Sequence, residues 1–258
     1  MNKIAVLKIS GKALGEIFNN NLWIDSILTL QNNYDGLIIV HGAGKNISEW
    51  SQALGHEVKF IDGQRVTTEG VMEIVAAVQS GVLNAKVVSR LISSGINAAG
   101  VSGIDYGSFI AENENEALGF VGVPKVTGSL AWLKDLFARN IVPVFSSLCR
   151  NEAGELMNVN ADIFTEVLAS EIKAESVFFV SDVEGVKLKG CYQNSVDQSE
   201  IIQGIINGEI TDGMIPKLNS CIDLLNKGIS RIWIGSKNIE HLFSDKSLSG
   251  GTWIVQRA

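Results

Sequence analysis

The chain has 258 residues, 46% of them hydrophobic, with 21 basic against 28 acidic side chains and a formal net charge of −7. Such a length and apolar content suffice for one large α/β domain or two closely joined lobes, folded without disulfide or metal staples. The acidic balance argues against a nucleic-acid-binding surface and for small-molecule partners.

In chain order, the first strand-like run is "IAVLKI" at 4–9. Its apolar core of about six residues is too short for a signal peptide, and nowhere do about 18 consecutive apolar residues mark a membrane span. Lys8 ends this run at a position that should be buried or at a sheet edge. A second run, "GLIIVHG" at 36–42, follows. Both pass into turns of small residues, Ser10-Gly11 and Gly42-Ala43-Gly44, and then into helical sequence. Backbone N–H groups and a helix N-terminus would converge there on an anion. "GAGKNI" lacks the third glycine of a dinucleotide fingerprint, and G-x-x-x-x-G-K-[ST] is absent, so a Rossmann dehydrogenase and a P-loop ATPase both lose ground. The HRD and DFG signatures of protein kinases are missing too.

Residues 67–94 carry Val71, Ile74, Val75, Val78, Val82, Ala85, Val88, Leu91 and Ile92, interrupted at Gly81, and read as two consecutive helices. "NAAGVSG" at 97–103 is a third strand. The Gly-rich, acidic stretch 103–128 predicts hairpins projecting from the sheet. "IVPVFSS" at 141–147 is a fourth strand. "NVNAD" at 158–162 then places Asn158, Asn160 and Asp162 in a row on one side of an extended segment, just before a helical stripe of Ile163, Phe164, Val167, Leu168 and Ile172. Asp162 is a fitting N-cap for that helix, but a cap needs one polar group and not three.

A break between lobes fits best near 170–176, giving lobes 1–172 and 173–258. "SVFFVSD" at 176–182 and "RIWIG" at 231–235 are further strands. The alternation of strands and helices predicts a three-layer α/β fold with an open, mostly parallel central sheet, and strands ending in Gly, Ser or Asp place a ligand at their carboxyl ends. In "ITDGMIPKLNS", Pro216 suits the first helical position, and Leu218, Cys221, Ile222 and Leu225 form the buried stripe. Lys217 in that first turn opposes the helix dipole. A phosphate would offset this, and Asp162 could stand between the Lys8 and Lys217 ammonium groups. Cys149, Cys191 and Cys221 are odd in number and widely spaced, which speaks against disulfides or a zinc site and for a reduced, cytoplasmic protein.

Taken in order, Lys8, "HGAG", Arg65, "NVNAD", "SDVEGV" and "TDGMIPK" resemble the amino acid kinase family, and within it the acetylglutamate kinases. The resemblance spans residues 4–255 and includes "GQRVTTEGVMEIV", "GVLNAKVV" and "GGTWIV". It implies transfer of the γ-phosphoryl group of ATP to the side-chain carboxylate of N-acetyl-L-glutamate, as in arginine biosynthesis, with no covalent enzyme intermediate. Lys8 and Lys217 would neutralise charge on the moving phosphoryl group and Asp162 would orient both. Arg65 and Asn158 would hold the α-carboxylate, with Asn160, Ala43 and Gly44 completing the pocket. ATP would lie on Ser10, Gly11, Ser181, Asp182, Val183, Glu184, Gly185, Val186, Ile210, Thr211, Gly213 and Met214. Mg2+ would be bound mainly through the nucleotide, with no protein metal ligand. His41 is expected to be structural, since a carboxylate nucleophile carries no proton to remove.

Two positions depart from the family pattern: Ser10-Gly11 replaces a double glycine, and Gly42-Ala43-Gly44 a triple one. Both leave the backbone N–H groups in place. Alternatives that keep the same residues are a kinase of N-succinylglutamate or of carrier-linked aminoadipate, or a regulatory module that has lost catalysis. Only Met1 to Lys3 precede the first strand, where arginine-inhibited relatives have a ring-forming helix. A homodimer joined through 67–94 and their surroundings, with arginine control missing or weak, is the expectation.

Overall fold

The computed structural model describes residues 3–113, 115–181, 183–211, 213–236 and 251–256. Asp182, one of the expected nucleotide contacts, lies outside the described residues.

All six apolar runs read from the sequence become strands of one sheet. In chain order its strands are β1 (Ile4–Ile9), β2 (Gly36–His41), β3 (Ala98–Ser102), β4 (Val142–Ser146), β5 (Ser176–Val180), β6 (Ser195–Asp197), β7 (Arg231–Gly235) and β8 (Gly251–Val255). They lie in the order β6-β8-β7-β5-β1-β2-β4-β3. The six run parallel to one another. β8 adds antiparallel to β7, and β6 pairs parallel with β8. Strands that precede residue 172 all lie on the β1 side of the β1–β5 pairing, and those that follow lie on the other. A lobe boundary there divides one continuous sheet.

Among the described residues, eight helices cover it: α1 (Leu14–Asn19), α2 (Asn21–Asn33), α3 (Gly44–Ala53), α4 (Glu69–Ser93), α5 (Trp132–Ala138), α6 (Ala161–Glu171), α7 (Gln198–Ile206) and α8 (Met214–Asn226). Side chains alternate across each strand, so each sheet face has its own core. Ala5, Leu7 and Ile9 of β1 face Trp23, Ile27 and Leu30 of α2 and Val75, Val78 and Leu91 of α4. Ile4 and Val6 face Phe164 and Leu168 of α6 and Leu218 and Cys221 of α8.

Three expectations need correction. Residues 69–93 form one continuous helix and not two, because Ala76–Leu83 is wound as π-helix and carries the chain through Gly81 without a break. The wider turn shifts the phase of the side chains, and it brings Gln79 and Asn84 inward although neither belongs to the apolar stripe. By length and composition this helix could cross a membrane, but half of its apolar window is buried in the fold. Pro216 is the third helical residue of α8 rather than the first. Its missing N–H is equally harmless there, since no first-turn N–H has an intrahelical partner. Finally, among the described residues the Gly-rich stretch gives a single hairpin, Phe109–Glu112 with Val123–Val126.

His41 ends β2 and is fully buried. Its Nε2 faces the Asn84 amide nitrogen at 3.1 Å, and Asn84 Nδ2 donates to Val144 O at 2.8 Å. Burial pushes the imidazole pKa down to about 4, against a weaker opposing effect of the Gly42 carbonyl. The unfolded chain therefore takes up a proton near pH 6.5 that the folded one refuses. The stability this represents is complete above that pH and is lost as pH falls toward 4. Going from pH 7 to pH 5 should cost about 2 kcal/mol from this group alone. Urea unfolding at both pH values should show His41→Gln losing correspondingly less than the unmodified chain, and an equal loss would assign the pH dependence to other groups.

Candidate active site

A cavity of about 620 Å³ opens at the carboxyl ends of β1, β2 and β5, lined by Lys8, Arg65, Asn158, Asp162 and Lys217 among others. Lys8 follows Ile4 and Val6 on the α6 face of β1, which points it at the first turn of α6. Its register partners are Val40 and Phe179, so β1 is central and gives the lysine no edge to escape to. Lys8 Nζ pairs with Asp162 Oδ1. Burial raises the Asp162 pKa, but the charges of Lys8 and Lys217 and the Lys8 hydrogen bond outweigh it and hold the carboxyl below its ordinary value.

The cap of α6 is Asn160 and not Asp162. Asn160 Oδ1 accepts the Asp162 N–H at 2.8 Å, and the helix begins at Ala161, ahead of the apolar stripe that the sequence displays. This frees the Asp162 carboxylate for Lys8. Lys217 reaches the same cavity from α8, where its ammonium donates to Gly213 O at 3.2 Å and acts on Asp162 through space without direct contact.

The two small-residue turns meet backbone to backbone. A Cβ on Gly42 would lie 3.0 Å from Gly11 N, and one on Gly11 would lie 3.2 Å from Gly44 N, so side chains at either position would force the turns apart. Ala43 sits at φ −140°, which an L-residue adopts without strain, and it begins α3 with no side-chain cap bond. The uncapped N-terminus of α3 is thereby left facing the cavity that Ala43 and Gly44 line. The Ser10 hydroxyl accepts from Ala13 N at 3.2 Å and so belongs to its own turn.

Arg65 is 7% exposed and, among the described residues, has no carboxylate partner. Its Nη2 donates to Gly44 O at 2.8 Å and to Ser48 Oγ at 2.7 Å, and the guanidinium lies over the Phe60 ring. Burial lowers its pKa. Thr67, fully buried and not singled out by the sequence, links the two carboxylate-binding candidates. Its hydroxyl donates to Arg65 O at 3.0 Å and accepts from Asn158 Nδ2 at 3.1 Å. Thr67 reads in sequence as an ordinary residue before a helix, so only the fold reveals the link.

The expected nucleotide residues divide between two places. Ser10, Gly11 and Ser181 line the first cavity. Val183, Glu184, Gly185, Ile210, Thr211 and Met214 line a second, of about 490 Å³. Val186 is buried behind it, donating its N–H to Thr252 Oγ1 at 2.8 Å. Gly185 has φ +139°, and a Cβ there would lie 2.6 Å from Thr252 Oγ1, so glycine is required. Gly213 begins α8 and supplies the carbonyl that Lys217 meets. Lys12, Gln79 and Ser147 also line the first cavity, and sequence reasoning passed over all three.

Lys8 and Lys217, a glycine-tight pair of turns and a buried arginine without a carboxylate partner among the described residues, all in one cavity, define a site for a multiply anionic small molecule. Residues 3–236 match the amino acid kinase family, and the chain belongs to that family, which uses ATP. It is 33% identical over 233 residues to an acetylglutamate kinase of Ruegeria pomeroyi, covering 90% of this chain and 80% of the relative. It is also 33% identical over 236 residues to an acetylglutamate kinase of Bacillus pumilus, covering 91% and 90%. Among solved structures, smu.665 of Streptococcus mutans shares the fold with a TM-score of 0.84, 24% identity and 99% of both chains covered.

The cap assignment has a direct check. Asn160→Ala removes the side-chain acceptor of α6 and should lower unfolding stability by about 1 kcal/mol. Urea denaturation measures it, and an unchanged midpoint would return the capping role to another residue.

Proposed function

We propose that the chain transfers the γ-phosphoryl group of ATP to the side-chain carboxylate of N-acetyl-L-glutamate, the reaction named by its acetylglutamate kinase relatives. One observation carries this reading. The Lys8–Asp162 pair and Lys217 face the same cavity as Arg65, a buried guanidinium with no carboxylate partner among the described residues. A cavity lined by a guanidinium as well as by ammonium groups suits a dicarboxylate, one carboxylate bound and the other reacting.

In the reaction a carboxylate oxygen of the substrate forms a bond to the γ-phosphorus, the bond from phosphorus to the β–γ bridging oxygen breaks, and ADP leaves with that electron pair. The nucleophile is already ionised, so no general base is needed, and His41 is buried behind the cavity rather than lining it. Lys8 and Lys217 would stabilise charge on the equatorial oxygens and on the leaving phosphate. Asp162 would keep the Lys8 ammonium aimed at the transfer path. The N–H groups of Ala43 and Gly44 would receive the reacting carboxylate, and Arg65 and Asn158 the α-carboxylate. The 1–172 lobe would bind the acyl amino acid and the 173–258 lobe the nucleotide. Mg2+ would be carried mainly on nucleotide oxygens and water. It would neutralise phosphate charge when bound.

ADP release with a panel of glutamate, N-acetylglutamate, N-succinylglutamate and N-acetylaspartate tests the substrate. N-acetylglutamate should be preferred, and a clear preference for another member would overturn the assignment. Lys8→Ala or Lys217→Ala should lower kcat by roughly 100-fold or more while the chain stays folded. Near-normal kcat in both would remove the lysines from the mechanism. Arg65→Lys should raise KM for the acylated amino acid much more than KM for ATP, because one ammonium cannot reproduce a guanidinium fork on a carboxylate. Equal changes in the two KM values would contradict that role.

A further inference from the structure

Gln79 Oε1, in the cavity wall, meets no donor among the described residues. Gln79 stands in the π-wound part of α4, is 3% exposed, and lines the cavity. Its neighbours fix which way the amide faces. Ser147 Oγ lies 2.6 Å from Val159 O, and a carbonyl only accepts, so the one hydroxyl hydrogen is used there. Ser147 Oγ can therefore only accept from Gln79, and the group 2.8 Å away is the Nε2 donor. The amide oxygen is left on the other side. Oε1 is buried and, among the described residues, meets no donor.

A buried acceptor without a donor destabilises the free protein, and an apolar side chain would fill the same space without that penalty. Such a group calls for a partner the free chain does not contain. Its place in the fold says from which end of a ligand the partner comes. Val159 lies between Asn158 and Asn160, so the Ser147 bridge ties Gln79 to the segment that presents Asn158 to the cavity.

An N-acylated glutamate at neutral pH has two carboxylates and an acyl carbonyl, all acceptors, and a single donor, its amide N–H. Resting on the substrate class argued above, we propose that Gln79 Oε1 accepts this N–H, so that Gln79 is the residue by which the site recognises an acylamido group. Asn158 is the competing acceptor. It is only half-buried, and water can serve its oxygen in the free protein, whereas no donor among the described residues serves Gln79 Oε1.

The test uses an isosteric substrate that lacks the donor. In 2-acetoxyglutarate an ester oxygen replaces the amide N–H and everything else is retained. kcat/KM for the amide and the ester is measured in the unmodified chain, in Gln79→Leu and in Gln79→Met. The unmodified chain should favour the amide by about tenfold or more, and the preference should shrink by about tenfold in both variants, since a site built to pair a donor discriminates against its loss. An amide preference that survives in the active variants overturns the inference alone and moves the acceptor role to Asn158 or elsewhere. The unmodified chain needs no variant to fold, and equal use of ester and amide by it overturns the inference as well. Failure of the unmodified chain to turn over N-acetylglutamate at all overturns the substrate reading, and this inference with it.

Discussion

The Lys8 ammonium sits on a central strand of the sheet, and the Asp162 carboxylate is what makes that position tenable. Between Val40 and Phe179 there is no edge, and Lys8 is 5% exposed. An isolated ammonium there would be strongly destabilised, and the pair offsets this only if its two ends are held in register. The surrounding architecture does that. β1 delivers Lys8 to one face by the parity of its residues, and Asn160 starts α6 one residue before Asp162, so the carboxylate arrives in the first turn facing the strand.

That constraint also fixes where a ligand can act. The chain leaves β1 for β2 on one side and returns through β5 on the other, so the crevice at the carboxyl end of β1 is the point where the sheet's order reverses. The turns after β1 and β2 close on one another through Gly11 and Gly42 and leave the uncapped start of α3 at the cavity. Arg65 and Asn158, joined by Thr67, form the other wall. The cavity's charged groups therefore come from distant parts of the chain but are positioned by backbone geometry more than by one another.

Much of this was legible in the sequence, for physical reasons. Strands buried on both faces read as unbroken apolar runs, so β1, β2, β4, β5 and β7 stood out, whereas β3 is a half-buried edge strand marked by its small residues. β6 is three residues long and β8 alternates between inward Thr252 and Ile254 and half-exposed neighbours, so neither gives such a run. Lys8 and Lys217 were conspicuous because each violates a local rule, one of burial and one of helix dipole. The misreadings have one source, since local pattern cannot show which of several equivalent options the fold selects. Asn160 and Asp162 are equally good caps on paper, and Gly81 breaks a helix only if the helix keeps its 3.6-residue turn. Gln79 and Thr67 were invisible because a polar residue inside or beside a helix normally faces water, and only the packed structure shows that these do not.

The most direct measurement is a double-mutant cycle on the pair itself. Urea unfolding is followed for the unmodified chain, Lys8→Met, Asp162→Asn and the two combined, near neutral pH. If the pair is what makes the central lysine tenable, each single change leaves a buried group without its partner, and the combined variant should be more stable than the sum of the two losses implies, by about 2 kcal/mol. Losses that add to within a few tenths of a kcal/mol would show that Lys8 and Asp162 are held independently, and would contradict the account.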